Sequence, residues 1–141
     1  MYPKIMGLDV GDKRIGIALS DPLRITAQGL LTYTRQEDEE TDIAYLCQLL
    51  KDHDVEKVVC GLPKNMNGSI GPQAEKVQAF ANRLGEVSGK KIEYWDERLT
   101  SVFAERALLE ADMSRAKRRK VIDKLAAVTI LQSYLDSLST L

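Results

Sequence analysis

Up to Tyr33 the apolar residues of this chain recur as they do in strands, and beyond it helical and strand spacings alternate. From Lys4 to Val10 the sequence reads as a short buried strand, Gly11-Asp12-Lys13 as a tight turn, and Arg14 to Ser20 as a second strand in which Ile15, Ile17 and Leu19 alternate. Asp21-Pro22 ends this hairpin, and Gln28 to Tyr33 supplies a third extended run. Ile43, Leu46, Cys47 and Leu50 then fall at helical spacing, and Lys57 to Leu62 is a Val-rich strand of the fully buried type. Asn65 to Gly71 is a polar, Gly-bearing loop. Pro72 suits the first turn of a helix whose apolar face is Val77, Phe80, Ala81 and Leu84, and Lys91 to Trp95 is a fifth strand. Thr100 or Ser101 can cap a helix carrying Val102, Leu108 and Leu109, Asp112 to Arg115 reads as a linker, and a long helix runs from about Lys117. With right-handed crossovers this order predicts an α/β fold: a mixed five-stranded sheet, three antiparallel strands then two parallel, flanked by helices.

At 141 residues the chain is the size of one compact domain, so residues 1–141 are expected to form a single unit. Its 44% hydrophobic and 29% charged content is that of a globular protein, and no apolar run approaches a membrane span. With no secretory leader recognisable at the start, the expected location is the cytoplasm, with no membrane partner. Cys47 and Cys60 lack metal-type spacing and read as core thiols, and His53 reads as a surface residue. The net charge of −1 hides an uneven distribution: Arg115, Lys117, Arg118, Arg119, Lys120 and Lys124 are six of the 20 basic residues. A phosphate backbone favours such a stretch, whereas the acidic run Glu37 to Glu40 suits a helix N-terminus. Projected on a helical wheel, the last helix places Ala127, Ile130, Leu131, Tyr134, Leu135 and Leu138 on one arc. Thr129, Gln132, Ser133, Asp136 and Ser137 fall on the other, and Asp123 lies at the edge of the apolar arc.

Three acids stand at ends of apolar elements: Asp9 after the first strand's core, Glu97 just past the fifth strand, and Asp123 near the start of the last helix. Unpaired charge is costly in such places, and a divalent cation offsets that cost. Metal-assisted cleavage of a phosphodiester needs carboxylates converging on Mg²⁺ or Mn²⁺, and these three can meet at one edge of the sheet. Gly7 and Gly11 flank Asp9 and leave room for a backbone or an ion. Lys13 and Arg14 follow closely enough to reach a phosphate, and Lys64 and Asn65 lie in the loop at the same edge. Arg98, Arg115, Lys117 and Arg118 complete the candidate substrate contacts. Each acid also has an ordinary structural reading: Asp9 accepting hydrogen bonds in the turn, Glu97 paired with Arg98, and Asp123 capping a helix or paired with Lys120 or Lys124. Asp96 and Glu97 are adjacent, so a strand points them apart, and Glu97 is the one taken as ligand.

Gly7-Leu8-Asp9-Val10-Gly11, Gly16 to Asp21, Gly61 to Gly68, Asp96-Glu97-Arg98-Leu99-Thr100 and Asp123-Lys124-Leu125-Ala126-Ala127 resemble, in order and spacing, the successive motifs of the YqgF/RuvX family. The resemblance implies a ribonuclease H-like fold related to the RuvC resolvase, with Asp9, Glu97 and Asp123 as catalytic metal ligands. It implies a metal-dependent nuclease, endo- or exonucleolytic, that matures the 5′ end of pre-16S rRNA in ribosome biogenesis; the alternative is a Holliday junction resolvase. Expected partners are structured RNA or branched DNA and pre-ribosomal particles, with the chain a monomer or homodimer. Two rivals come from other classes: a non-catalytic RNA-binding module, and an actin-like nucleotide-binding protein, since Asp9-Val10-Gly11 before a hairpin resembles that superfamily's phosphate loop.

Overall fold

A computed structural model describes the backbone of residues 2–100 and 115–139, with side chains for 2–100 and 123–138. The elements run β1 (Lys4–Val10), β2 (Arg14–Ser20), β3 (Ala27–Thr34), α1 (Glu39–Asp52), β4 (Val55–Leu62), α2 (Pro72–Ser88), β5 (Lys91–Asp96), a 3₁₀ turn (Glu97–Leu99) and α3 (Arg115–Ser139). The five strands form one sheet in the order β3-β2-β1-β4-β5. β1 is antiparallel to β2 and β2 to β3, whereas β4 is parallel to both β1 and β5. This is the mixed sheet that the spacing predicts. The expected helix carrying Val102, Leu108 and Leu109, and most of the linker after it, lie outside the described residues.

Local chemistry sets the helix boundaries. The Asp38 carboxylate accepts the Glu40 amide and caps α1, whose first turn carries Glu39, Glu40 and Asp42 against the positive end of the dipole. Pro72 opens α2, and Gly89 closes it in the left-handed region at φ 72°, donating its amide to Gly85 O.

The alternation of β1 and β2 divides the core in two. Met6, Leu8, Ile15, Ile17, Val58 and Cys60 pack beneath α1 and α2, against Ile43, Leu46, Val77, Phe80 and Leu84. Ile5, Ala18 and Val59 face the other way and pack against Ala126, Ala127, Ile130, Leu131, Tyr134 and Leu135 of α3. Each large side chain buried there contributes about 1.5–3 kcal/mol. The apolar arc of α3 stops at Leu135, for Leu138, one turn further on, is 46% exposed. The polar arc is put to use: Gln132 bonds Ala27 N and Ile25 O, and Ser133 accepts the Trp95 indole N–H. Both cysteines are free; Cys60 is buried and Cys47 half-buried against the core. Among the described residues no helix is long and apolar enough to cross a membrane.

Candidate active site

Asp9 sits near the end of the central strand β1, and its two neighbours across the sheet are glycines. Its antiparallel partner in β2 is Gly16. In the parallel ladder Leu8 faces Cys60, so one step further along the same register Asp9 lies level with Gly61. Glycine inside a strand marks a close approach by something else, and here both gaps are filled by the segments that carry the other two acids. A Cβ on Gly16 would fall 1.8 Å from the backbone oxygen of Asp123, so α3 crosses β2 at a distance no other residue permits. A Cβ on Gly61 would stand 3.3 Å from Cγ of Glu97 and 2.4 Å from Cδ1 of Ile130. Side-chain truncation at two strand positions thus brings Asp123 and Glu97 to either side of Asp9.

The glycines that the sequence singled out behave otherwise. Gly7 opens no space for an ion, because Leu131 of α3 occupies it, its Cβ 2.7 Å from where a Gly7 Cβ would stand. Gly11 belongs to the hairpin turn, its amide bonded to Arg14 O at 2.8 Å.

Adjacent acids at the end of β5 separate as strand alternation requires. Trp95 packs on the α3 side and Tyr94 on the opposite core, so Glu97 follows Trp95 and Asp96 follows Tyr94. Asp96 caps the 3₁₀ turn by accepting the Arg98 amide at 2.9 Å, and both its oxygens are bonded by the Arg98 guanidinium. Those bonds hold its carboxyl below the usual range despite partial burial. Glu97 is only 9% exposed. Its backbone oxygen receives the Thr100 amide and hydroxyl, which fixes the turn. Beneath the pair, the buried Cys60 thiol is pushed strongly upward, first by burial and then by the negative charges of Asp9 and Glu97. The register that sets Asp9 level with Gly61, and the 3.3 Å approach of Glu97 Cγ to that glycine, put the two carboxylates on neighbouring positions of the sheet.

Asp123 is engaged differently: its Oδ2 accepts the Arg14 Nε at 2.8 Å, in a pair that is mostly shielded from solvent. Among the described residues no three acids, histidines or cysteines stand gathered at metal-binding separations. The structure therefore sets Glu97 and Asp123 over the strands on either side of Asp9, with the Asp123 carboxylate turned to Arg14. The donor set of Asp9, Glu97 and Asp123 is all carboxylate oxygen, which suits a hard divalent cation.

The other predicted contacts divide. Lys13 is exposed on the hairpin turn, and Lys64 lies close enough to Asp96 to help hold its carboxyl low. Asn65 closes its own loop instead, its Nδ2 on Ser69 Oγ and its amide on Ser69 O. Arg14 and Arg98 are occupied by Asp123 and Asp96, and Arg98 also donates to Met66 O at 3.2 Å. Arg115, Lys117 and Arg118 open α3, with side chains outside the described set. Lys124, the last member of that basic run, lays its stem over Gly29 of β3. No local pattern signals the Asp96–Arg98–Met66 link, because it joins a turn to a loop 32 residues away.

Known proteins resemble this chain over nearly its whole length. Residues 3–137 match the model of the family described as RuvX, Holliday junction resolvase. A Clostridium kluyveri protein named as a candidate pre-16S rRNA nuclease is 57% identical over 136 residues, covering 96% of this chain and 98% of its own. A Clostridium botulinum protein with the same name is 54% identical at the same coverage. Among solved structures, T. thermophilus RuvC in complex with a Holliday junction substrate superimposes with a TM-score of 0.62 at 10% identity, covering 99% of this chain and 98% of that one. A second Thermus thermophilus RuvC structure gives 0.56 at 13% identity, covering 97% of each. The likeness to RuvC is one of fold, the ribonuclease H-like sheet with its flanking helices. The match to the family model over residues 3–137, with relatives 54–57% identical across 96% of the chain, shows that the chain belongs to the RuvX family.

Proposed function

We propose that this protein is a metal-dependent nuclease that hydrolyses phosphodiester bonds at the 5′ end of pre-16S rRNA during ribosome assembly in the cytoplasm. The observation that carries the nuclease reading is the placement of Asp123 and Glu97 in the glycine gaps on either side of Asp9. The choice of rRNA follows the names of relatives more than half identical in sequence. Asp9, Glu97 and Asp123 are the residues that would hold Mg²⁺ or Mn²⁺; bound there, the ion lowers the pKa of water and stabilises charge on the leaving oxygen. Asp9 and Glu97 are held by the sheet and the 3₁₀ turn, so their order is set before any substrate arrives. Asp123 would hold the ion in place of Arg14, whose guanidinium would then be able to pair with a phosphate. Lys13 and Lys64, at the same end of the sheet, attract the strand on either side of the bond.

A second reading rests on the family's description as Holliday junction resolvase. The three acids come from one chain, so a single subunit can cut one strand, whereas resolving a four-way junction calls for two sites in a symmetric dimer. The test is incubation of the purified protein with labelled pre-16S rRNA and with a synthetic four-way DNA junction, in Mg²⁺, Mn²⁺ or EDTA. We expect cleavage of the RNA that requires metal and is lost in Asp9→Asn. Cutting of the junction alone would transfer the assignment to DNA, and cleavage unaffected by EDTA would end the metal-dependent reading.

A further inference from the structure

We propose that Met66 is a contact for an unstacked nucleobase beside the bond being cut, and that Asp96 and Arg98 are the positioning residues that hold it there; this rests on the nuclease reading above. Met66 is 87% exposed, and Leu99, on the other side of Arg98, is 65% exposed. Single exposed apolar residues are ordinary, so exposure alone assigns Met66 nothing. Here the backbone beneath Met66 is fixed from several directions. Asn65 N bonds Ser69 O at 3.0 Å and Gly68 N bonds Asn65 O at 2.8 Å, with Gly68 in the left-handed region at φ 87°. Asn67 Oδ1 accepts both the amide and the hydroxyl of Ser69. The Arg98 guanidinium then reaches across to Met66 O, and a Cβ on Gly68 would lie 3.3 Å from its Nη atoms.

Arg98 is itself clamped by Asp96, the residue before Glu97. One rigid link therefore runs from the acid at the centre of the site to the loop that carries Met66. An ordered polar network that ends by presenting an apolar side chain to water is suited to a ligand with an apolar face. The continuity with Glu97, and the cation of Lys64 two residues before Met66 in the same loop, point to a nucleic acid strand as that ligand. Unstacked bases offer flat apolar faces, and a thioether is polarisable enough to pack on any of the four, which makes the contact tolerant of sequence.

The test uses a synthetic RNA spanning the 5′ end of 16S rRNA, with 2-aminopurine placed in turn at each nucleotide flanking the cut. Mixed with the intact Asp9→Asn protein, so that the RNA is not consumed, one position should brighten as its base leaves the stack. Adding Met66→Ala or Arg98→Gln should abolish that signal without lowering the melting temperature in the Met66 variant, and Met66→Leu should restore it. In cleavage by otherwise native protein, Met66→Ala should raise KM by about three- to tenfold with kcat little changed. On RNA lacking the base at the brightened position, the two proteins should have the same KM. The proposal is overturned if no position brightens, if Met66→Ala keeps the native KM, or if its deficit persists on the abasic RNA. It is also overturned if Met66→Ala cuts purified RNA normally and fails only with ribosomal particles, which would assign the residue to a protein surface. RNA that brightens without being cut by the native protein would remove the nuclease reading and leave the base contact standing.

Discussion

Asp42 and Glu97 are both buried acids on this small sheet, and their surroundings treat them in opposite ways. Asp42, at the start of α1, is fully enclosed and meets donors on every side: the Tyr33 hydroxyl at 2.8 Å, the Gln36 amide at 2.9 Å and the Arg35 Nε at 3.1 Å. Arg35 in turn stacks over Phe80 and bonds Gly11 O, tying the β1–β2 turn to both helices. Glu97 instead lies over the gap at Gly61, on the face of the sheet that carries Asp9. Charge ringed by donors in this way holds a fold together, and carboxylates set on one face of a sheet edge are the makings of a cation site. The phenol of Tyr33 carries the mark of the first kind, pushed up to about 12 by burial and then by its bond to Asp42.

The sharpest way to break this contrast is to neutralise one acid of each kind. Asp9→Asn should lower the rate of cleavage by about 10³-fold or more, near 4 kcal/mol of barrier, while the melting temperature stays level or rises because one of two like charges is gone. Asp42→Asn should do the reverse: a loss of about 3 kcal/mol in denaturant unfolding, since Arg35 loses its buried counter-charge and meets an amide donor where Oδ2 accepted, with turnover per folded molecule unchanged. If both variants lose stability alike, the two acids do not differ in kind. A smaller effect sharpens the account of the third acid. Arg14→Gln should tighten Mn²⁺ binding by up to about fivefold, the size expected for releasing a partly exposed ion pair, while weakening the affinity for RNA.

Much of this was legible in the sequence because it depends on periodicity. The alternation of Ile15, Ile17 and Leu19, the Val-rich run to Leu62 and the spacing of Ile43, Leu46 and Leu50 specify the strand and helix order, and the sheet order follows from connection rules. The separation of Asp96 from Glu97 was also readable, since a strand alternates. What escaped was anything set by contact between distant segments. Gly16 and Gly61 look like ordinary small residues until α3 and the 3₁₀ turn are laid on them, whereas Gly7 and Gly11, adjacent to Asp9 in sequence, drew attention for space they do not provide. Arg14 and Arg98 read as phosphate contacts because cations near acids in a one-dimensional chain carry no partner label; folded, each has a carboxylate. A glycine in the middle of a strand, directly beside an acid in the neighbouring strand, is the signal that could have been used.

The central claim is that Asp9, Glu97 and Asp123 form one cation site while Asp96 serves the backbone. Titrating Mn²⁺ into the purified protein and following the free-ion signal by electron paramagnetic resonance tests it most directly, without reliance on any substrate. The account predicts that Asp9→Asn, Glu97→Gln and Asp123→Asn each weaken binding by tenfold or more (about 1.4 kcal/mol), and that Asp96→Asn, which keeps a capping side chain, leaves it close to native. Binding that survives Asp9→Asn, or that depends on Asp96 as strongly as on Glu97, would contradict it.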